Sequence, residues 1–184
     1  MLEVQLNPFP VLQTERLILR QVLETDAPEI LFLRSDDTVL QYLDRDKVTS
    51  LEDIKQFIRS TAEAVIQNEG IMWGICQRGS TKVIGTIGHW RLIKEHYRSE
   101  IGYSLHPEFW QKGIMSEAMN AVLAYGFRQM KLHSVEANVN PQNRNSIKLL
   151  EKHGFVKEAH FKENYYYNGK FLDSAIYSLL NPGK

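Results

Sequence analysis

Only one cysteine, Cys76, occurs among the 184 residues, so no disulfide framework staples this chain and no Cys/His cluster offers a metal site. Set inside an apolar run, that thiol reads as a small buried core residue. Net charge is also missing, because 22 Lys and Arg balance 22 Asp and Glu. Without a basic block, nucleic-acid or other polyanion binding is excluded as a main role. An apolar run of membrane-spanning length is lacking, as is a leading charged-then-apolar signal. The expectation is a cytoplasmic protein without membrane attachment. What is present is globular in composition, with 43% hydrophobic and 10% aromatic residues. The length suits a single domain over residues 1–184 with a sizeable core.

Alternating apolar positions predict a first strand over residues 16–22. Asp26 before Ala27-Pro28-Glu29 predicts a helix N-cap. Ser50 with Asp53 predicts a capping-box-like start to a helix that runs to the Gly70 stop. Between them, residues 36–49 carry Asp36, Asp37, Asp44 and Asp46, which read either as a solvated loop or as an acidic wall attracting a cation. Residues 73–77 and 83–91 read as a hairpin across Arg78-Gly79-Ser80-Thr81. Residues 134–139 predict a strand, and 143–153 a helix stopped by Gly154. The chain closes with strands 155–167 and 171–180 around Asn168-Gly169, a strong two-residue hairpin signal. The order is strand, two helices, three strands, helix, strand, helix, two strands. It implies an α/β (α+β) fold, a mixed central sheet of about seven strands with helices on both faces.

Residues 100–117 organise the rest. Ile101, Tyr103 and Leu105 alternate as a strand, Pro107 turns the chain, and an apolar helical period starts at Ile114 after Gly113. A helix start leaves backbone N–H groups without intrahelical partners, so this turn is a ready anion site, with Lys112 beside it.

The same stretch resembles the acyl-coenzyme A signature of the GNAT N-acetyltransferase superfamily, Arg/Gln-x-x-Gly-x-Gly/Ala. Its six positions are Trp110, Gln111, Lys112, Gly113, Ile114 and Met115. Trp110 replaces the basic or amide residue and Met115 the small one. Thr14-Glu15-Arg16-Leu17, Asn143-Arg144-Asn145-Ser146, Glu151-Lys152-His153-Gly154-Phe155 and the Asn168-Gly169-Lys170 hairpin with Asp173 are similar to the branch that acetylates N-termini of ribosomal proteins. The resemblance implies the GNAT acyl-CoA N-acyltransferase fold and acetyl-CoA as co-substrate, with no metal. It implies direct transfer in a ternary complex to an amine, with the N-terminal α-amine of a ribosomal or other protein favoured. Small amines such as aminoglycosides, polyamines or amino-acid derivatives are the alternative acceptors, and a non-catalytic CoA-binding module is the competing class. Neither the acceptor nor a homo-oligomeric state is written in any motif.

Roles follow by residue. An α-amine has a reference pKa near 7.7–8.0 and is about a quarter to a third neutral near pH 7.5, whereas lysine would need roughly 4 kcal/mol for the same deprotonation. Glu100 is the candidate base, acting through water, or else an exposed strand-end carboxylate paired with Arg98 or Lys94. His89, His96 and His106 are its titratable rivals. Ser146 either caps a helix or, as the resemblance implies, protonates the leaving sulfur. Asn143 either caps the same helix or contacts the pantetheine arm. Tyr103, Ser104 and Leu105 are candidates to pair pantetheine amides through backbone groups, like an added strand. The Gly102 amide is a candidate to polarise the acetyl carbonyl. Residues Trp110 through Ser116 would surround the pyrophosphate. Glu117 reads as a dipole partner at the helix start, and Tyr166 as an exposed ring along the acceptor cleft.

Overall fold

The computed structural model describes residues 1–183. In chain order its elements are β1 (Leu12–Gln13), β2 (Leu17–Gln21), α1 (Ala27–Leu33), α2 (Asp37–Leu40), α3 (Leu51–Ile66), β3 (Ile71–Gln77), β4 (Val83–Ile93) and β5 (Arg98–Leu105). There follow α4 (Ile114–Arg128), β6 (Ser134–Val139), α5 (Arg144–Lys152), β7 (Val156–Tyr167) and β8 (Lys170–Leu180). All strands share one eight-stranded sheet in the order β1-β2-β3-β4-β5-β6-β8-β7. The two elements added to the expected order are short. β1 is a two-residue edge pairing Leu12 with Leu19, and α2 is one turn capped by Asp36, whose carboxylate accepts from the Thr38 and Val39 amides.

Caps and turns follow local chemistry in most places. Ser50 Oγ accepts from the Glu52 and Asp53 amides at the start of α3. Asn168 and Gly169 both adopt positive φ, 47° and 81°, in the β7–β8 turn. Asp26 is an exception. It makes no cap bond to α1; its carboxylate instead accepts from Arg20 through two 2.8 Å bonds and from the Leu23 amide. A bidentate guanidinium bond is about twice as strong as a neutral amide bond, so tertiary pairing outcompetes the cap.

The sheet is filled from both sides. One cluster sets Leu17, Leu19, Trp73, Ile75, Ile87 and Ile101 against Ala118, Met119 and Val122 of α4 and Leu150 of α5. A second joins Ile30 and Leu33 of α1 to Ile54 and Ile58 of α3, with Cys76 1% exposed among them. Among the described residues no helix is long and apolar enough to cross a membrane.

The sheet is also split. β5 remains paired with β4 as far as Leu105 opposite Gly85. Its parallel pairing with β6 ends at Glu100 opposite Glu136, while β6 stays with β8 to Val139. From residue 101 onward, the β6-facing edge of β5 therefore has no strand partner among the described residues, and the two strands diverge around a gap.

Candidate active site

The gap opens into a cavity of about 540 Å³ whose wall includes Tyr103, Ser104 and Leu105 of β5, the turn before α4, and α5. Gly113 takes φ +75° at the N-cap of α4, and no side chain caps that helix end. A residue with a Cβ is strained at this φ, so glycine is what lets the chain turn straight from the loop into the helix. The first α4 amides are thus left for a ligand, and a helix N-terminus favours an anion. Gln111, Gly113, Ile114, Met115 and Ser116 all line the cavity. Met115 is only 8% exposed and packs in the main core, so the side chain that departs from the signature lies mostly beneath the turn.

The positive charge of this cavity is placed differently from the sequence expectation. Lys112 does not line it; its Nζ lies 5.8 Å from the centre of the Phe109 ring. Lys148 and Lys152 line it instead, one turn apart on α5. Trp110 reaches back so that its indole N–H donates to the Leu105 carbonyl at 2.7 Å. That carbonyl was a candidate ligand group, and one of its lone pairs is already used. Glu117 does more than complement the dipole. It accepts from Thr14 Oγ1, the Arg16 amide and the Arg16 guanidinium, tying the start of β2 to the start of α4. Burial raises its pKa, but these hydrogen bonds and the Arg16 charge outweigh burial and hold the carboxyl below its ordinary value.

Asn143 is the N-cap of α5, its side-chain oxygen accepting from the Ser146 amide at 3.1 Å. Ser146 is thereby relieved of capping, and its hydroxyl meets the Tyr103 hydroxyl at 2.6 Å. The sequence reading took Tyr103 for its backbone groups alone. The missed signal was the alternation of β5, which places Tyr103 with Ile101 and Leu105 on the face turned toward α4 and α5. Burial pushes the Tyr103 phenol up to about 12, with the Ser146 contact pulling slightly the other way. The group remains protonated across the physiological range.

A second cavity, of about 570 Å³, lies across the sheet between β4, β5, α1 and α3. Tyr103, Ser104 and Leu43 border both cavities, so the two spaces meet at the middle of β5. Glu100 borders neither. It is buried at 8% exposure and accepts from Arg91 at 3.1 Å, not from Arg98, which pairs with Glu136. Burial raises its pKa, the Arg91 charge opposes this, and the Glu136 charge adds to it, leaving a net rise. By strand alternation it shares the face of Gly102 and Ser104, toward the second cavity.

Of its rivals, His89 is sealed in mid-strand. Its Nε2 lies 3.1 Å from the Val122 carbonyl and its Nδ1 2.9 Å from Ser99 Oγ. Burial pulls its pKa down to about 4, so the neutral ring donates to the carbonyl and accepts from the serine. His106 stacks on Phe32 at 4.3 Å and accepts from the Glu108 amide, and His96 lies in the exposed turn before β5.

The acidic-wall expectation does not hold. Asp36 caps α2, Asp37 pairs with Lys47, Asp44 accepts from Tyr165 and Asn140, and Asp46 from Tyr167. None of the four borders a cavity. Tyr166 is 65% exposed against Phe171 and lies outside both linings.

Comparison with known proteins gives a consistent result. A family model described as an acetyltransferase (GNAT) domain matches residues 16–156. An uncharacterised N-acetyltransferase of Bacillus subtilis, YoaA, is 39% identical over 174 residues, covering 95% of this chain and 98% of the relative. The ribosomal-protein-S5-alanine acetyltransferase of Vibrio fischeri superposes with a TM-score of 0.83 at 27% identity, covering 94% of this chain and 97% of that one. RimL, a ribosomal L7/L12 α-N-protein acetyltransferase solved with coenzyme A, has the same fold at 21% identity. Its TM-score is 0.86, with 95% of this chain and 100% of that one covered.

Proposed function

Because the chain belongs to the GNAT acetyltransferase family and is an N-acetyltransferase, we propose that it uses acetyl-CoA in the split between β5 and β6 and acetylates an α-amine entering from the opposite face. The observation that carries this reading is the meeting of the two cavities at Tyr103 and Ser104, beside the Tyr103–Ser146 hydroxyl pair. The residues present suit the co-substrate. Lys148, Lys152 and the α4 N-terminus supply positive potential for phosphates, and the unpartnered edge of β5 supplies strand-like backbone groups for the pantetheine amides. Acetyl-CoA, when bound, would bring the thioester carbonyl.

The acceptor amine attacks that carbonyl and the thiolate departs. Ser146 donates a hydrogen bond to the departing sulfur. The Tyr103 hydroxyl donates to Ser146 Oγ and so holds the serine O–H turned outward, while the thiolate takes up the proton that the amine loses. A thiol of pKa about 8.5 leaves readily, so the donor contributes modestly. Glu100 takes the amine's proton through at least one water, since its carboxyl stands outside both linings. An α-amine makes that task light, and the ribosomal-protein-S5-alanine acetyltransferase among the structural relatives favours a protein N-terminus as its source.

Steady-state thiol release with N-terminal peptides tests this. Tyr103→Phe and Ser146→Ala should each lower kcat on the order of ten- to a hundredfold with acetyl-CoA affinity retained. The double variant should be little worse than the poorer single one, because the hydroxyls act as a unit. Glu100→Gln should lose most activity at low pH, where neutral amine is scarce. Wild-type rates in all three would remove these roles, and acetylation of lysine instead of the α-amine would overturn the acceptor class.

A further inference from the structure

The second cavity carries a charge pattern that its neighbours do not balance. Among the described residues no aspartate or glutamate lines it, and the charged side chains that do are Arg34 and Arg45. His89 is neutral there, held with Ser99 and Val122. Arg34 follows the last turn of α1, its guanidinium carbon 4.0 Å from the centre of the Phe57 ring. Its Nε is buried without a hydrogen-bond partner among the described residues. Neither arginine takes part in an ion pair among the described residues; the carboxylates of residues 36–46 are committed to α2, Lys47, Asn140, Tyr165 and Tyr167. Burial, and then the nearby Arg45 charge, pull the Arg34 guanidinium below its ordinary value.

An unpaired cation in a partly desolvated site is unfavourable, and a second cation beside it makes matters worse. An anion entering the site offsets both costs. Arginine is also the side chain whose planar fork holds a carboxylate or phosphate through two parallel bonds. Resting on the reading of this cavity as the acceptor site, we propose that the acceptor carries an anionic group, a carboxylate or a phosphate, close to the amine that is acetylated, and that Arg34 and Arg45 bind it. The anion is anchored at the α1 end of the cavity, leaving the amine to project toward Tyr103 and Ser104. A polyamine or aminoglycoside would add positive charge to a space already holding two guanidinium groups, so the same pair selects against it.

Matched acceptors that differ only in the anion test the proposal with the purified protein and acetyl-CoA. One arm compares peptides with Glu or Gln as the first residue, a second compares free glutamate with glutamate diamide, and a third compares O-phosphoethanolamine with ethanolamine. In at least one arm the anionic member should have a kcat/KM ten-fold or more above its neutral partner, and the arm that responds identifies the source of the anion. Arg34→Gln and Arg45→Gln should erase that ratio by raising KM for the anionic member, while the neutral member's kcat is retained. Arg34→Lys should keep part of it. Thermal melts check folding, and Arg34→Gln should melt no lower than wild type.

A binding measurement separates this inference from the catalytic reading. With coenzyme A saturating, calorimetric titration of inorganic phosphate or glutamate should show binding that the two glutamine variants lose. Binding without turnover of any amine would leave the anion site standing and fail the catalytic reading. Turnover in which neutral and anionic partners react alike, or titrations that are unchanged in Arg34→Gln and Arg45→Gln, would overturn the anion site.

Discussion

At the scale of single residues, burial decides what each titratable group does. His89 is fully enclosed, and Gly126 of α4 makes room for it: a Cβ at Gly126 would stand 2.7 Å from His89 Nε2. With its pKa taken down to about 4 from 6.5, the folded protein keeps the ring neutral where the unfolded chain protonates it. The stability conferred by the neutral ring is therefore present above pH 6.5 and is lost as pH falls from there toward 4. Between pH 7 and pH 5 the linkage amounts to about 2 kcal/mol. Urea unfolding should record that loss in the wild type and a flatter dependence in His89→Gln; parallel curves would assign the acid sensitivity to other groups. Tyr103 is the complementary case, a phenol that burial keeps protonated and therefore able to donate.

At the scale of elements, the turn into α4 combines a left-handed glycine with an uncapped helix start. Gly113→Ala places a Cβ at positive φ, costing about 1–2 kcal/mol, and 3.3 Å from Nη2 of Arg16. Both Gly113→Ala and Gly113→Asp should fold. The aspartate adds a negative charge where the pyrophosphate of acetyl-CoA is expected, so calorimetry should find acetyl-CoA affinity reduced for alanine and abolished for aspartate. Equal affinities in the two variants would mean that backbone strain alone is at work, and wild-type affinity in both would move the phosphates elsewhere.

At the scale of the whole molecule, the side of the second cavity is held together by contacts far apart in sequence. The stretch 41–48 is fastened to β7 by Tyr165 on Asp44 and Tyr167 on Asp46, each 121 residues away, while Arg45, between the two aspartates, borders the cavity. Removing the Tyr165 hydroxyl should cost on the order of 1–2 kcal/mol. It should also loosen that stretch more than the sheet. Hydrogen exchange of Tyr165→Phe is expected to speed up at residues 41–48 and raise KM for the acceptor, with acetyl-CoA affinity unchanged. Uniform acceleration across the sheet would instead make the contact a global stability element.

Local chemistry wrote most of the fold into the sequence. Alternation, the Ser50 cap, the Asn168-Gly169 turn and the Gly113 helix start each depend on a few neighbouring residues, and each appears as expected. The turn of the first cavity was legible for the same reason. Choices among competing partners were not. Whether Asp26 caps a helix or holds Arg20, whether Ser146 caps or meets Tyr103, and which lysines face the first cavity all depend on which distant groups the sheet brings within hydrogen-bond range. The second cavity shows this most clearly. Four aspartates in residues 36–46 left a solvated loop and a negative wall equally open; the tertiary structure pairs each of them elsewhere and leaves two arginines facing the space. Composition fixes how many charges a chain has, but only the folded arrangement fixes which remain unpaired, because pairing energy depends on distance and burial.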